Sequence, residues 1–161
     1  MAFAAYLSIV GARQGPILGS VTQKGREGKI LVIAAGHEIV APRDPQSGIP
    51  TGRRMHKPFL ITKELDRASP LLFAVLCTNE NIVSARLDFW TSTPTGQEKQ
   101  HYTVRLTNAN LSTINFKMAN LRVPRLAKLT EYEELALTYE KIEWTWSDGG
   151  ITASDDWETP R

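Results

Sequence analysis

Cysteine, histidine and net charge are all scarce in this sequence, and each scarcity narrows the possible functions. The 161 residues contain one cysteine, Cys77, and three histidines, and the formal net charge is +2. A single thiol cannot form an intrachain disulfide. Three unclustered histidines and one cysteine make no recognisable zinc ligand set, so neither a metal nor a cofactor is predicted. Basic residues are scattered among nearly as many acids, apart from the short run 53–57, and no nucleic-acid partner is expected.

Long apolar runs and targeting signals are lacking as well. No window approaches the roughly 18 apolar residues of a membrane span, so no membrane insertion is expected. The N-terminal residues Met-Ala-Phe-Ala-Ala-Tyr-Leu lack the basic region that opens a signal peptide. We therefore expect a protein that is cytoplasmic when made and that leaves the cell, if it does, without a signal peptide.

Motifs for catalysis are also missing. The sequence contains no Gly-x-Ser-x-Gly elbow, P-loop or Gly-x-Gly-x-x-Gly fingerprint. His37 and Glu38 adjoin in an expected strand, where neighbouring side chains point to opposite faces and cannot form a dyad. His56 lies beside arginines and Lys57, a repulsive setting for a metal cation, and His101 is expected to be solvated.

The remaining reactive side chains have ordinary structural interpretations. Cys77 ends an apolar helical stripe, which predicts a buried and inert thiol. The acidic residues at 131–134 and at 155–156 are interpreted as solvated strand edges. Four tryptophans could line a sugar or ligand site, although core or interface packing is their more common role; they are Trp90, Trp144, Trp146 and Trp157. No catalytic residue is predicted, and the protein is not expected to be an enzyme.

Most of the chain has the periodicity of β-strands. Residues 29–40 are almost continuously apolar, which predicts a strand covered on both faces. Clear alternation follows at 83–89. In 111–118 and 135–146 the apolar positions change from odd to even numbers partway, which predicts a bulge or a strand that crosses between sheets. Ser147-Asp148-Gly149-Gly150 then predicts a hairpin turn.

One helix and one long loop complete the predicted fold. Ser69 as N-cap, Pro70 in the first turn and an apolar stripe predict a helix over about 69–78, closed by Asn79 in the left-handed conformation. So short a helix must pack on the sheet. We therefore expect a mainly β fold, a two-sheet β-barrel or sandwich with one flanking α-helix, as a single domain spanning 1–161.

The long loop covers about 41–55 and contains three prolines and two glycines. Loops of this length are uncommon in compact domains and are usually functional or disordered. We interpret it as an ordered, extended arm that reaches a partner, with a mobile surface loop as the alternative.

Four blocks in the chain resemble, in the same order, the haemolysin-coregulated protein (Hcp) family. They are Gly19-Ser20-Val21 with 24–30 (KGREGKI), 50–59 (PTGRRMHKPF), 61–72 (ITKELDRASPLL) and 139–150 (YEKIEWTWSDGG). The resemblance implies a barrel of two sheets with one helix, assembled into six-membered rings that stack as the inner tube of a type VI secretion system. It further implies that a contractile sheath drives the tube out of the cell behind a spike protein, and that the lumen carries effector proteins.

On this resemblance, the partner of the chain is chiefly itself. We expect the loop and the polar turn tips to make the ring and stacking contacts, through Lys24, Arg43, Asp44, Gly48, Ile49, Arg53, Arg54 and Gly96. The main alternative is a monomeric β-barrel that binds a small ligand. A hydrolase on a β scaffold has no supporting motif.

Overall fold

The computed structural model describes residues 3–157. More than half of them belong to ten β-strands and one α-helix in this part of the chain. The elements are β1 (Phe3–Gly11), β2 (Gly15–Ile17), β3 (Ile30–Gly36), β4 (Ile39–Val40), β5 (Met55–His56), β6 (Phe59–Glu64), α1 (Ser69–Thr78), β7 (Ile82–Ser92), β8 (Glu98–Lys117), a 3-10 turn (Pro124–Leu126), β9 (Tyr132–Trp146) and β10 (Ile151–Asp156).

Six strands close into an antiparallel barrel. The order around it is β9-β6-β3-β1-β7-β8, and β8 pairs again with β9. Two short strands extend this barrel at its ends: β2 pairs with β1 beyond β3, and β10 pairs with the second half of β9 beyond β6. The predicted mainly β barrel with one flanking helix is confirmed.

Side chains fill the interior of the barrel. Strand alternation points one set of residues from every barrel strand inward, where they form one continuous apolar cluster. The buried members include Leu7, Ile9, Ile30, Ile61, Leu87, Leu106, Leu135, Leu137 and Ile142. The interior is therefore a packed core.

The helix closes one side of this core. It spans Ser69–Thr78, as predicted, with Pro70 in its first turn and Asn79 in the left-handed conformation at φ 53°. Leu72 and Val75 are buried, and each stabilises the fold by about 1.5–3 kcal/mol relative to an exposed position. The predicted Ser69 cap is wrong, because Ala68 occupies the N-cap and the Ser69 hydroxyl accepts the Asp66 amide instead.

Both predicted changes of strand phase occur within continuous strands. In β8 the register shifts between Leu111 and Thr113, which identifies the expected bulge. In β9 the inward face passes from Tyr139 to Ile142 without a turn, opposite Asn108 of β8, whose φ is 49°. The two strands therefore bend together at one corner of the barrel.

The prediction that residues 29–40 are covered on both faces is wrong for the single chain. Ile30 and Val32 of β3 point into the core, but Leu31 and Ile33 are 40% and 51% exposed. The strand also ends at Gly36, and β4 begins only at Ile39. Apolar residues on the outer face gave the continuous run that was interpreted as two-sided burial.

Candidate functional site

The long loop between β4 and β5 is an ordered ribbon. Strands β4 and β5 pair at its base, and a further bridge joins Arg43 to Pro50. A tight turn closes the tip: the Asp44 amide donates to the Ile49 carbonyl, and the Gly48 amide donates to the Asp44 carbonyl at 2.8 Å. Gly48 has a φ of 71°, which glycine adopts without strain.

The tip of the loop is open to solvent and carries an apolar side chain. Ile49 is 63% exposed. The Asp44 carboxylate accepts the Gln46 amide at 2.8 Å, and this bond lowers the pKa of Asp44 and keeps it charged. Arg43 donates to the Gly48 carbonyl. The tip thus presents one apolar side chain within a polar rim, a composition typical of protein contact surfaces.

A hydrogen-bond network fixes the base of the loop to the barrel. His37 Nε2 and His56 Nδ1 lie 2.7 and 2.6 Å from the Tyr139 hydroxyl. His56 Nε2 lies 2.7 Å from Oδ2 of Asp155, which also accepts hydrogen bonds from Arg54. The interpretation of the histidines as unclustered is therefore wrong for His37 and His56, and Asp155 is not a solvated edge residue.

The charges in this network follow from its bonds. The hydrogen bond from Arg54 lowers the pKa of Asp155 and keeps it ionised. Burial, followed by the nearby His56, lowers the pKa of His37. With both imidazoles neutral, His56 donates to Asp155 and accepts the Tyr139 proton, and Tyr139 accepts from His37. The Tyr139 hydroxyl then both donates and accepts a hydrogen bond.

The eight predicted contact residues fall into three places. Arg43, Asp44, Gly48 and Ile49 lie together at the loop tip. Arg53 donates to the Trp157 carbonyl at 2.9 Å and Arg54 to Asp155, so these two hold the loop base against the C-terminal hairpin.

Lys24 and Gly96 lie in two other turns that are tied to each other. Gln23, beside Lys24, donates to Glu98, and Arg26 of the same turn also binds Glu98. Arg26 is buried, and its guanidinium carbon lies 4.4 Å from the centroid of the Trp90 ring. These contacts hold the two turns together.

Apolar residues on the outside of β3 and its neighbours were not predicted as contact residues. Leu31, Ile33 and Leu60 are each at least 40% exposed, and Phe3 at the start of β1 is 71% exposed. Beside them lies a shallow apolar hollow of about 260 Å³, lined by β1, β3, Trp90 and His101. The unbroken apolar run of 29–36 is the signal in the sequence for this surface.

A buried ion pair was also missed. Lys63 Nζ lies 2.9 Å from Oε2 of Glu133, and both side chains are 0% exposed. Ser69 bonds to both of them, and Asp66 lies 3.0 Å from Lys63. Glu133 is therefore not on a solvated edge, and the Ser69 hydroxyl serves this cluster rather than the helix end.

Two further expectations about single residues are wrong. Cys77 is exposed, because it lies on the helix face opposite Leu72 and Val75. His101 is half-buried, and its ring packs edge-on against Trp146 with centroids 6.0 Å apart.

Within 3–157 no group of three or more His, Cys, Asp or Glu side chains is placed to hold a metal ion. No helix in the same range is long and apolar enough to cross a membrane.

Comparison with known proteins gives a consistent result. Residues 6–146 match the family model described as "Type VI secretion system effector, Hcp". The chain is 40% identical to the "Major exported protein" of Pseudomonas aeruginosa, over 99% of this chain and 98% of that protein.

Solved structures agree with the sequence comparison. A variant of the Hcp1 protein from the E. coli EAEC 042 pathovar is 35% identical with a TM-score of 0.86, and covers 97% of this chain and 99% of its own. The secreted protein Hcp3 from Pseudomonas aeruginosa is 31% identical with a TM-score of 0.81, over 98% of this chain and 100% of its own. The chain therefore belongs to the Hcp family of type VI secretion proteins.

Proposed function

We propose that this chain is a structural subunit that closes into six-membered rings, which stack into the inner tube of a type VI secretion system. The observation that carries the proposal is that one chain has both an ordered loop, exposed at its tip, and an uncovered apolar face on the barrel. A ring requires one patch to meet a different patch on the next copy, and these two features supply unlike patches on one chain.

The uncovered face supports the proposal by its composition. Leu31, Ile33 and Leu60 leave apolar area in water that a neighbouring copy would cover. Apolar area removed from water contributes about 25 cal/mol per Å², so a contact of ordinary size has a sufficient driving force. The apolar run at 29–36 would then be buried on both faces in the ring.

The loop supports the proposal by being ordered before any contact. Its backbone pairing and the network at Tyr139 hold it in one shape. A loop ordered in advance loses less conformational entropy on binding than a mobile one. We assign the contact residues at its tip, Arg43, Asp44, Gly48 and Ile49, to ring or stacking contacts, and Lys24 and Gly96 to the facing turns.

The packed barrel core favours this function over the monomeric ligand-binding barrel. Leu7, Ile61 and Leu135 are among the side chains that occupy the space a ligand would need. We propose no catalytic role. By the same family membership we expect a spike protein and a contractile sheath as partners, effectors in the lumen, and export through the type VI system.

Light scattering on a sizing column tests the proposal. The ring has six times the mass of the 18.0 kDa chain, about 108 kDa, and electron micrographs should show a central hole. Ile33→Asp should release 18.0 kDa monomers, whereas Leu129→Asp, at a comparably exposed apolar residue that belongs to neither feature, should leave the ring intact.

Deletion of residues 44–50 tests the loop separately and should abolish ring formation or stacking. Intact tubes after this deletion would refute the role of the loop. A wild-type monomer at every accessible concentration would remove the basis for the tube and favour the ligand-binding barrel.

A further inference from the structure

A polar hollow lies on the barrel surface where β8 and β9 bend together. Its volume is about 500 Å³, within the usual range of small-ligand sites of roughly 300–1,000 Å³. The lining side chains come from the residue before β7, the middle of β8 and β9, and the residue after β10; they include Asn81, Asn108, Asn110, Thr138, Glu140 and Trp157.

Planar hydrogen-bonding groups dominate this lining. The side-chain amides of Asn81 and Asn110 make no hydrogen bond to any other residue within 3–157 and are free to bind a ligand. Asn108 donates to Glu140 Oε2 at 2.8 Å, which leaves Oε1 of that carboxylate and the Asn108 carbonyl oxygen for further bonds. Each amide or carboxylate group carries two hydrogen-bonding atoms side by side. Their spacing suits neighbouring hydroxyl groups of a ligand.

An indole ring stands beside these polar groups. Trp157 is 43% exposed even though its ring N–H donates to the Tyr139 carbonyl and its backbone N–H donates to the Glu140 carbonyl. Both bonds are to strand β9, so the ring is held in place while much of its surface stays open. A held aromatic ring gives contact area at little entropy cost.

The backbone at the centre of the hollow is unusual. Asn108 has a φ of 49° in the middle of a long strand, in a region that residues other than glycine rarely adopt. Asparagine tolerates this conformation better than most residues, and such outliers concentrate at functional sites. Here the conformation places the Asn108 amide against Glu140 and inside the hollow.

From these features together we propose that the hollow binds a neutral mono- or disaccharide. The indole would pack on the C–H face of a sugar ring, and the free amides with Glu140 would pair with its hydroxyls. Glu140 is the charged group among the described lining residues and it is negative, which disfavours an acidic sugar. This site is separate from the loop tip and the apolar face proposed for assembly.

Saturation-transfer NMR on the purified full chain tests the site. The probes are maltose, chitobiose and methyl β-glucoside, with glucuronic acid as the acidic comparison. At least one neutral probe should give a saturable signal at millimolar concentration that glucuronic acid does not reproduce.

Variants locate the binding. Asn110→Ala and Trp157→Ala should each weaken binding at least tenfold. The matched controls Asn115→Ala, further along the same strand, and Trp146→Ala, which is 44% exposed, should leave it unchanged. Unchanged circular dichroism and melting temperature establish that each variant is folded.

Two results would overturn the proposal. One is the absence of a saturable signal from every neutral probe with the folded wild-type chain. The other is binding that both control variants weaken as much as the site variants do.

Discussion

Removing the positive partner of the buried Lys63–Glu133 pair should destabilise the fold far more than neutralising the negative one. The reason is an asymmetry in their surroundings. Lys63 also contacts Asp66 at 3.0 Å, the Glu64 carbonyl and the Ser69 hydroxyl, so it keeps an anion nearby when Glu133 is neutral. Within the described residues, the Glu133 carboxylate bonds only to Lys63 and Ser69.

The magnitudes follow from this arrangement. Lys63→Met leaves a fully buried carboxylate without a cation, and breaking a buried pair in this way costs about 3–5 kcal/mol. Glu133→Gln keeps the shape and leaves Lys63 paired with Asp66, so we expect about 1–2 kcal/mol, the loss of one charged hydrogen bond. The double variant Lys63→Met with Glu133→Leu should recover most of the loss, because an apolar pair of similar volume is often neutral in a core.

Urea denaturation followed by circular dichroism measures these differences. All variants are compared at one protein concentration, because self-association would otherwise change the apparent stability. Glu134→Gln is the matched control: it neutralises the next carboxylate along β9, whose ion pair with Lys117 is 44% exposed on both sides, and should cost less than about 0.5 kcal/mol. Equal losses for the two single variants, or a double variant no more stable than Lys63→Met alone, would refute the reasoning.

Three further predictions concern other parts of the molecule. The pKa of His37 is lowered in the folded chain, so the unfolded chain takes up the proton first as pH falls below about 6.5, and the folded state loses stability. His37→Asn should therefore reduce the pH dependence of the urea midpoint between pH 7 and 5. An unchanged pH dependence would contradict this. Gly19→Ala should lower the stability of the fold by about 1–3 kcal/mol, because the added Cβ would lie 2.4 Å from the Lys29 carbonyl oxygen. In the same urea denaturation, Gly36→Ala should cost less than half as much, because its Cβ would meet no atom within 4 Å. Cys77 should react with Ellman's reagent in the native protein at a rate near that of the denatured one, and protection in dilute solution would refute its exposure.

Local patterns were sufficient to predict the elements of the fold. Pro70 and Asn79 mark the helix ends because their backbone restrictions act within a turn. The change from odd to even apolar positions in 111–118 and 135–146 marks the bends in β8 and β9, because a strand exposes alternate residues to the core. The collinear sequence blocks indicated the family, and the composition of residues 41–55 indicated the ordered loop.

The side-chain clusters could not be predicted in the same way, because their members are distant in sequence. His37 and His56 meet at Tyr139, which lies 102 and 83 residues away, and Lys63 meets Glu133 across 70 residues. Glu133 lies among other acidic residues, a pattern typical of a solvated edge. Only the register of β6 against β9 shows that its side chain points inward. Barrel closure decides which polar residues are buried.

The sequence alone therefore determined the type of protein: a β-rich chain with one helix, an ordered loop and the motifs of its family. These depend on interactions within a few residues, which composition and periodicity report directly. The tertiary structure decided which face of β3 stays uncovered, what anchors the loop and where Asn108 is strained. Each of these depends on the pairing of distant strands, since only the closed barrel brings their side chains within bonding distance.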